Sequence, residues 1–481
     1  MKRREVLLLL LLTLGALLIH GYHPWAEDAE IYIPGVEKIL HPELYPFNAQ
    51  FFELHARSTF FPNLIAASVR LSHLRLDMVL FLWQFTSIFL LLIACWELIG
   101  KCFTSPTARW GGVALIAALL TVPIAGTSLY LMDQYVNPRN LSASLGIFAI
   151  GRVLDNKYVQ AGLFLILAAA IHPLMPFFAL SFCLLLVATR GMAYRATALA
   201  LILPFGISLD PPPKPYHEVA LAHPYFYLTC WYWYEWLGVV GPLVLLWWFS
   251  RMARARQLRN LDLLCRTLMI YELIYLPPAL LLSIIPRFEA LARLQPMRCL
   301  YLVFALMFLF LGGFLGELWL KNRAWRWLVL FVPLCTGMFL AQRQIFPGSA
   351  HVEWPWSKSR NEWGQAFLWI RENTSPSAIF ALDPNHMNLP NEDEQGFRAI
   401  ARRSRLVDAV KDSGAVSMFP AMADEWVRQL RAQRGWKTFQ LQDFRRLQAD
   451  YGVSWIVLEQ PGVAGFDCPY HNQAVVVCRL N

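Results

Sequence analysis

Apolar runs separated by short polar breaks fill the chain up to about residue 342, and a different pattern follows. Measured against the roughly 20 residues that a membrane-spanning helix needs, the runs place helices near 5–20, 77–100, 109–129, 140–155, 157–172, 174–190, 194–209, 236–250, 262–285, 297–319 and 326–342. That is about 11 spans. The breaks are thinnest between 140 and 190, where only Asp155-Asn156-Lys157 and His172-Pro173 interrupt the apolar sequence. Residues 21–76 form a long loop after the first span, with helix-like pieces such as Pro62 to Leu74 suited to the interface. A second loop, 209–235, is rich in aromatic residues, among them Trp231-Tyr232-Trp233-Tyr234. It fits an interfacial aromatic belt or a wall for a prenyl chain or sugar ring.

From 343 the periods shorten and polar residues rise. Asn361 to Asn373 has helical spacing and ends at Thr374-Ser375-Pro376. Ala378 to Leu382, Leu406 to Asp408, Ser454 to Glu459 and Ala474 to Arg479 have the pattern of short buried strands, with helical stretches at 421–434 and 439–450 between them. The expected fold is an α-helical polytopic membrane protein with a small C-terminal α/β domain. Its expected domains are 1–342, carrying the first outer loop 21–76, and 343–481.

Composition supports this class. Of 481 residues, 57% are hydrophobic and 16% charged, which excludes an ordinary soluble enzyme. The net charge of +9 does not indicate a nucleic-acid partner, because the basic residues punctuate the loops. With the N-terminus inside, seventeen Lys and Arg fall at the cytoplasmic ends of the spans and nine in the opposite loops. The Met1-Lys2-Arg3-Arg4 start then reads as a retained signal anchor, since no small-residue cleavage site follows its apolar run. The first loop and the C-terminal domain fall outside the cytoplasm. Of nine cysteines, Cys468 and Cys478 lie in that outer domain, where a disulfide closing their short loop is expected. No phosphate-binding glycine loop, nucleophile elbow or paired His/Cys zinc spacing is present in the sequence.

Chemistry concentrates directly after the first span, in His23-Pro24-Trp25-Ala26-Glu27-Asp28-Ala29-Glu30. On a helix, Glu27 and Glu30 share a face. Carboxylates there also suit the start of a helix and need no catalytic role. Asp133 and Arg139 belong to the next outer loop, as an ion pair or as substrate contacts. His172 sits before Pro173 at an outer helix end, where it caps or packs, or meets a phosphate. Arg287, Arg293 and Arg298 surround the turn before the 297–319 span, where a guanidinium can fork onto a lipid phosphate or an ordinary head group.

A first helix, an outer loop bearing Glu27-Asp28, a string of spans and a soluble outer domain together resemble the type C glycosyltransferases, which use polyprenyl-phosphate sugar donors. Further stretches resemble a largely uncharacterised bacterial branch of these proteins. They are Asp133-Gln134-Tyr135-Val136-Asn137-Pro138-Arg139-Asn140-Leu141-Ser142, Trp233-Tyr234-Glu235-Trp236-Leu237-Gly238 and Leu294-Gln295-Pro296-Met297-Arg298. In the outer domain they are Trp369-Ile370-Arg371-Glu372-Asn373-Thr374, Gly396-Phe397-Arg398 and Tyr451-Gly452-Val453. The resemblance implies transfer of a sugar from the lipid carrier to an envelope acceptor on the outer face of the bacterial inner membrane. It makes Asp28 the catalytic base, with Glu27 beside it to position substrate or a divalent cation. Many members have Asp-Asp where this chain has Glu-Asp, which leaves the metal open. Glu30, Asp133, Arg139, His172, Arg293 and Arg298 are the substrate-binding candidates, Arg298 as the preferred phosphate ligand. Two other classes fit the same topology: a transporter of lipid-linked sugar, and a non-catalytic protein of polysaccharide assembly. A transporter would carry charge within its spans, whereas only Glu97, Glu272 and Glu317 depart from the loops and helix ends.

Overall fold

The computed structural model describes residues 1–191 and 214–480. The 194–209 span and the Asp210-Pro211-Pro212-Pro213 turn lie outside the described residues. The chain divides into two compact units. One comprises Met1–His20, Leu82–Pro212 and Pro224–Ala341, the other Gly21–Phe81, Pro213–His223 and Gln342–Asn481. This division differs from 1–342 and 343–481, because the first outer loop is built into the same unit as the C-terminal segment.

The first unit is helical. Among the described residues, five helices are long and apolar enough to cross a membrane: Leu76–Cys102, Trp233–Ala255, Arg259–Ile284, Leu291–Leu320 and Ala324–Ile345. Tyr158–Ile171 and Leu174–Arg190 are apolar but shorter. The chain is therefore a membrane protein, and among the described residues fewer helices are full-length than the apolar runs suggest. The 109–129 run shows why. Its helix, Pro106–Ala118, has 13 residues, a rise of about 20 Å against a hydrocarbon core of about 30 Å. Beyond it the chain turns, with Pro123 bridged to Tyr130. An apolar run counts residues that can lie in lipid, including those in buried turns. The Pro106–Ala118 helix packs closely on Leu300–Leu315, and glycine makes this possible: a Cβ on Gly111 would fall 2.4 Å from the Gly312 carbonyl oxygen.

The second unit is built on a five-stranded sheet. Its strands are β1 (Ile379–Leu382), β2 (Ser404–Arg405), β3 (Trp455–Glu459), β4 (Asp467–His471) and β5 (Val475–Arg479), in the order β2-β1-β3-β5-β4. β1 runs parallel to β2 and β3, while β5 runs antiparallel to β3 and β4. The two-residue period of the strands sends Trp455, Val457, Val475 and Val477 into one core with Phe367 and Ile370 of the Glu362–Asn373 helix. Ile456, Leu458, Val476 and Cys478 enter another with Phe444 and Leu447 of Leu441–Tyr451. Asn361 caps the first of these helices by accepting from the Gly364 N–H at 3.1 Å.

Two differences from the expected strands have physical causes. The segment read as a strand at Leu406 to Asp408 pairs two residues earlier, and Asp408 leaves the sheet to cap a helix. β4 has no apolar period because it is an edge strand, where Pro469 is tolerated; the Cys468–Cys478 disulfide ties it to β5. The first loop contributes the helices Ala29–Leu40, Gln50–Arg57 and Phe61–Ser72. The Tyr45 hydroxyl donates to the Arg398 carbonyl at 2.9 Å, and the Asn48 amide donates to the Arg405 carbonyl at 3.0 Å and to Gln429 Oε1 at 2.7 Å.

Candidate active site

The acid pair sits on a turn fixed from both sides in sequence. The Ala26 N–H donates to the His23 carbonyl and the Ala29 N–H to the Ala26 carbonyl. Glu27 lies between them in the left-handed region, at φ 58°, its N–H donating to the Glu394 carbonyl at 2.9 Å. The Gly396 N–H donates to the Trp25 carbonyl at 2.8 Å. Asp28 precedes the first turn of Ala29–Leu40. The side chains of Glu27 and Asp28 keep 33% and 26% of their surface, so both remain within reach of a ligand.

Their partner is Lys411, which opens the helix Lys411–Met418. Asp408 Oδ1 accepts from the N–H groups of Val410 at 2.8 Å, Lys411, and Asp412 at 3.1 Å. The Asp408 N–H in return donates to Asp412 Oδ2 at 3.0 Å. This reciprocal cap holds the helix start. The Lys411 ammonium pairs with Glu27 and lies 3.4 Å from Asp28 Oδ1. Burial pulls the Lys411 ammonium down to about 7.

Beneath the pair lies a second set of charges, fully enclosed. Arg398 forks onto Asp412 with both bonds at 2.8 Å. Glu30 accepts from the Arg398 backbone N–H at 2.7 Å and from its guanidinium at 3.3 Å. Arg405 approaches Glu30 at 3.7 Å. Among the described residues, two guanidiniums thus face Glu30, Asp408 and Asp412, and all five side chains are buried. Burial pushes the Glu30 carboxyl up to about 7, although Arg398 and Arg405 pull the other way. The sequence reading of Glu30 as a substrate contact meets a carboxylate with no exposed surface. Lys411, Asp408, Asp412 and Arg405 had no signal beyond their charge in the sequence. Arg398 carries a sequence signal only within Gly396-Phe397-Arg398.

Glu394 completes the acidic surroundings. Its carboxyl is pushed up to about 7, first by burial, then by Asp28 and Asp393. Among the described residues no group of three or more His, Cys, Asp or Glu is arranged to hold a metal ion. The residues that would approach a divalent cation are Glu27 and Asp28, and the cation would compete with the Lys411 ammonium.

The other candidates belong to the helical unit. Arg139 donates to Asp133 Oδ2 at 2.8 Å, both side chains being almost fully buried. Gln84 donates to the Asp133 carbonyl at 2.7 Å, and Asn137 caps the Pro138–Leu154 helix through the Arg139 N–H at 2.9 Å. His172 Nδ1 accepts from the Met175 N–H at 3.2 Å, capping Leu174–Gly191. Arg293 and Arg298 occupy the short turns Pro286–Leu294 and Pro296–Cys299 and are half-buried. The Arg287 side chain lies outside the described residues.

No family model matches the chain, and no curated protein matches it. Two solved structures match 95% of its length. One is the archaeal oligosaccharyltransferase AglB from Archaeoglobus fulgidus in complex with an inhibitory peptide and a dolichol-phosphate, at 13% identity, 70% of that chain and a TM-score of 0.47. The other is the Archaeoglobus fulgidus oligosaccharyltransferase tethered through a disulfide to an acceptor peptide containing the NVT sequon, at 12% identity, 69% of that chain and a TM-score of 0.49. At this level of likeness, a functional assignment rests on the residues of this chain.

Proposed function

We propose that this chain is a type C glycosyltransferase of the bacterial inner membrane. It moves a sugar from a polyprenyl-phosphate carrier to an envelope acceptor on the outer face. The N-terminus is cytoplasmic and the C-terminal domain periplasmic. The observation that carries the reading is a solvent-reachable Glu27–Asp28 pair, held on a hydrogen-bonded turn beside Lys411.

In the proposed reaction the acceptor hydroxyl oxygen attacks the anomeric carbon and its proton passes to the Asp28 carboxylate. The bond from that carbon to the phosphate oxygen breaks, and the carrier leaves with the electron pair as a phosphate. Such a leaving group needs positive charge rather than a proton, the role assigned to Arg298 and, after it, Arg293. Glu27 positions the acceptor or a divalent cation. Asp133, Arg139 and His172 are assigned to substrate binding. Glu30 is assigned a positioning role, because it acts through Arg398 rather than on a ligand.

Lys411 also favours a second reading. An ion pair already closed by an ammonium needs no substrate, as in a non-catalytic assembly protein. Mass spectrometry of envelope glycans and lipid-linked sugars from a deletion strain beside its parent separates the two. Loss of one sugar modification with build-up of its lipid-linked donor is expected, and unchanged glycans with unchanged donor pools count against the enzyme. Reporter fusions after Pro34 and at the C-terminal end should both read as exported. A cytoplasmic reading for either refutes the topology.

A further inference from the structure

A cleft of about 620 Å³ within the second unit lies outside the machinery just described. Three indole side chains line it: Trp25, Trp354 and Trp369. Trp354 stacks on Trp356 with ring centroids 5.2 Å apart and planes 13° apart. Trp369 rests on Tyr470 at 5.2 Å, so these rings are braced from behind. Between them stand planar polar groups already fixed in direction. Glu353 accepts from or shares a proton with His23 Nδ1 at 2.9 Å, Asp77 pairs with Arg75 at 2.5 Å, and the Gln365 amide is bonded to the Ser359 and Arg360 carbonyls.

One residue of the lining carries an atom that the fold leaves unpaired. Tyr22 has no exposed surface, and its hydroxyl has no hydrogen-bond partner among the described residues. Its backbone is firmly held, since the Tyr22 N–H donates to the His351 carbonyl at 3.0 Å and the Glu353 N–H to the Tyr22 carbonyl at 2.9 Å. Burial, and then the charges of Glu353 and Asp77, hold the phenol well above its usual range, so it stays protonated as a donor.

We infer that this cleft binds saccharide, and that it holds sugar units of the acceptor glycan while a terminal hydroxyl is presented for transfer. Flat aromatic faces meet the C–H faces of a sugar ring, and fixed carboxylates and an amide meet its hydroxyls. Such an alternation of apolar platforms with oriented polar groups suits neither a lipid tail, which needs a dry apolar wall, nor an extended peptide. A peptide would seek free backbone donors and acceptors, whereas the Glu362–Asn373 helix presents side chains to this wall. The acceptor assignment rests on the glycosyltransferase reading; the saccharide site does not.

The test uses the full chain purified in detergent and a probe pool of end-labelled oligosaccharides released by mild acid from the envelope of the producing strain. Retention of a defined subset is expected. Trp354→Ala should weaken that binding roughly tenfold or more, and Gln365→Ala, which removes a hydrogen-bonding amide from the wall, by about two- to tenfold. Asp28→Asn should bind as well as the parent. Retention of none of the pool, retention of envelope peptides instead, or parental binding by Gln365→Ala and Trp354→Ala overturns the inference. Absent binding with Asp28-dependent transfer intact fails the cleft alone. Binding intact in a strain whose deletion changes no glycan fails the transferase alone.

Discussion

Glu27 and Asp28 stand beside Glu30 in the sequence, yet the carboxylates meet opposite environments. The first two share one lysine at a surface turn and keep a quarter to a third of their area in water. Glu30 lies among two arginines and two aspartates, all enclosed. The contrast separates chemistry from architecture. A half-exposed pair can exchange Lys411 for a ligand when that nearly enclosed ammonium sheds its proton, which its lowering by burial to about 7 permits. An enclosed network cannot, because removing one member leaves its partners charged in a poor solvent. The rigid set beneath therefore locates the exchangeable pair above it, through Asp408 and the start of the Lys411 helix.

Breaking the surface side should cost activity and spare the fold. Asp28→Asn should lower sugar transfer by roughly 10²–10⁴-fold, while unfolding in detergent shifts by only about ±0.5 kcal/mol. Transfer by purified protein, with expression checked in membranes, measures both. If Asp28→Asn complements the deletion strain at normal expression, the base assignment fails. If Glu27→Gln complements as well, the assembly-protein reading gains. Breaking the enclosed side should do the reverse. Arg398→Met strands Glu30 and Asp412 and should destabilise the second unit by about 3–5 kcal/mol, seen as proteolysis or a lowered melting temperature. Parental stability would show that the network is dispensable. Away from both sets, Cys468→Ser should cost about 2–3 kcal/mol, and two free thiols in protein purified without reductant would remove the bond from the account.

The smallest effect sharpens the contrast through pH. Glu394 is raised to about 7 in the folded chain, so between its unfolded value near 4.5 and about 7 the folded state holds more protons. Its contribution to stability is complete below that window and is lost as pH rises through it. Asp28 is the second cause of the shift after burial, so Asp28→Asn should flatten this loss. Denaturation of parent and variant at pH 5 and pH 7.5 tests the sign. An unchanged slope would separate Asp28 from Glu394.

Apolar periodicity located helices wherever burial and lipid demand the same residues. Leu76–Cys102, Trp233–Ala255 and Arg259–Ile284 lie within a few residues of their expected ends. It failed where apolar residues serve a turn, as after Ala118, and where a strand lies at an edge and needs no buried face, as in Asp467–His471. The acid cluster was legible because three carboxylates after an apolar span are conspicuous. Its partners were not.

The chain alone determined that this is a membrane protein with a folded polar C-terminal region, because hydrophobic run length and two-residue strand period are local properties. It also placed Glu27, Asp28 and Glu30 together, since neighbours in sequence remain neighbours. Which of them faces water was decided only by tertiary structure. Lys411 and Arg398 lie more than 360 residues further along the chain, and no local period encodes a partner at that separation. Burial then set their environments apart: one carboxylate keeps its surface at a turn, while another becomes a structural anion once two guanidiniums enclose it.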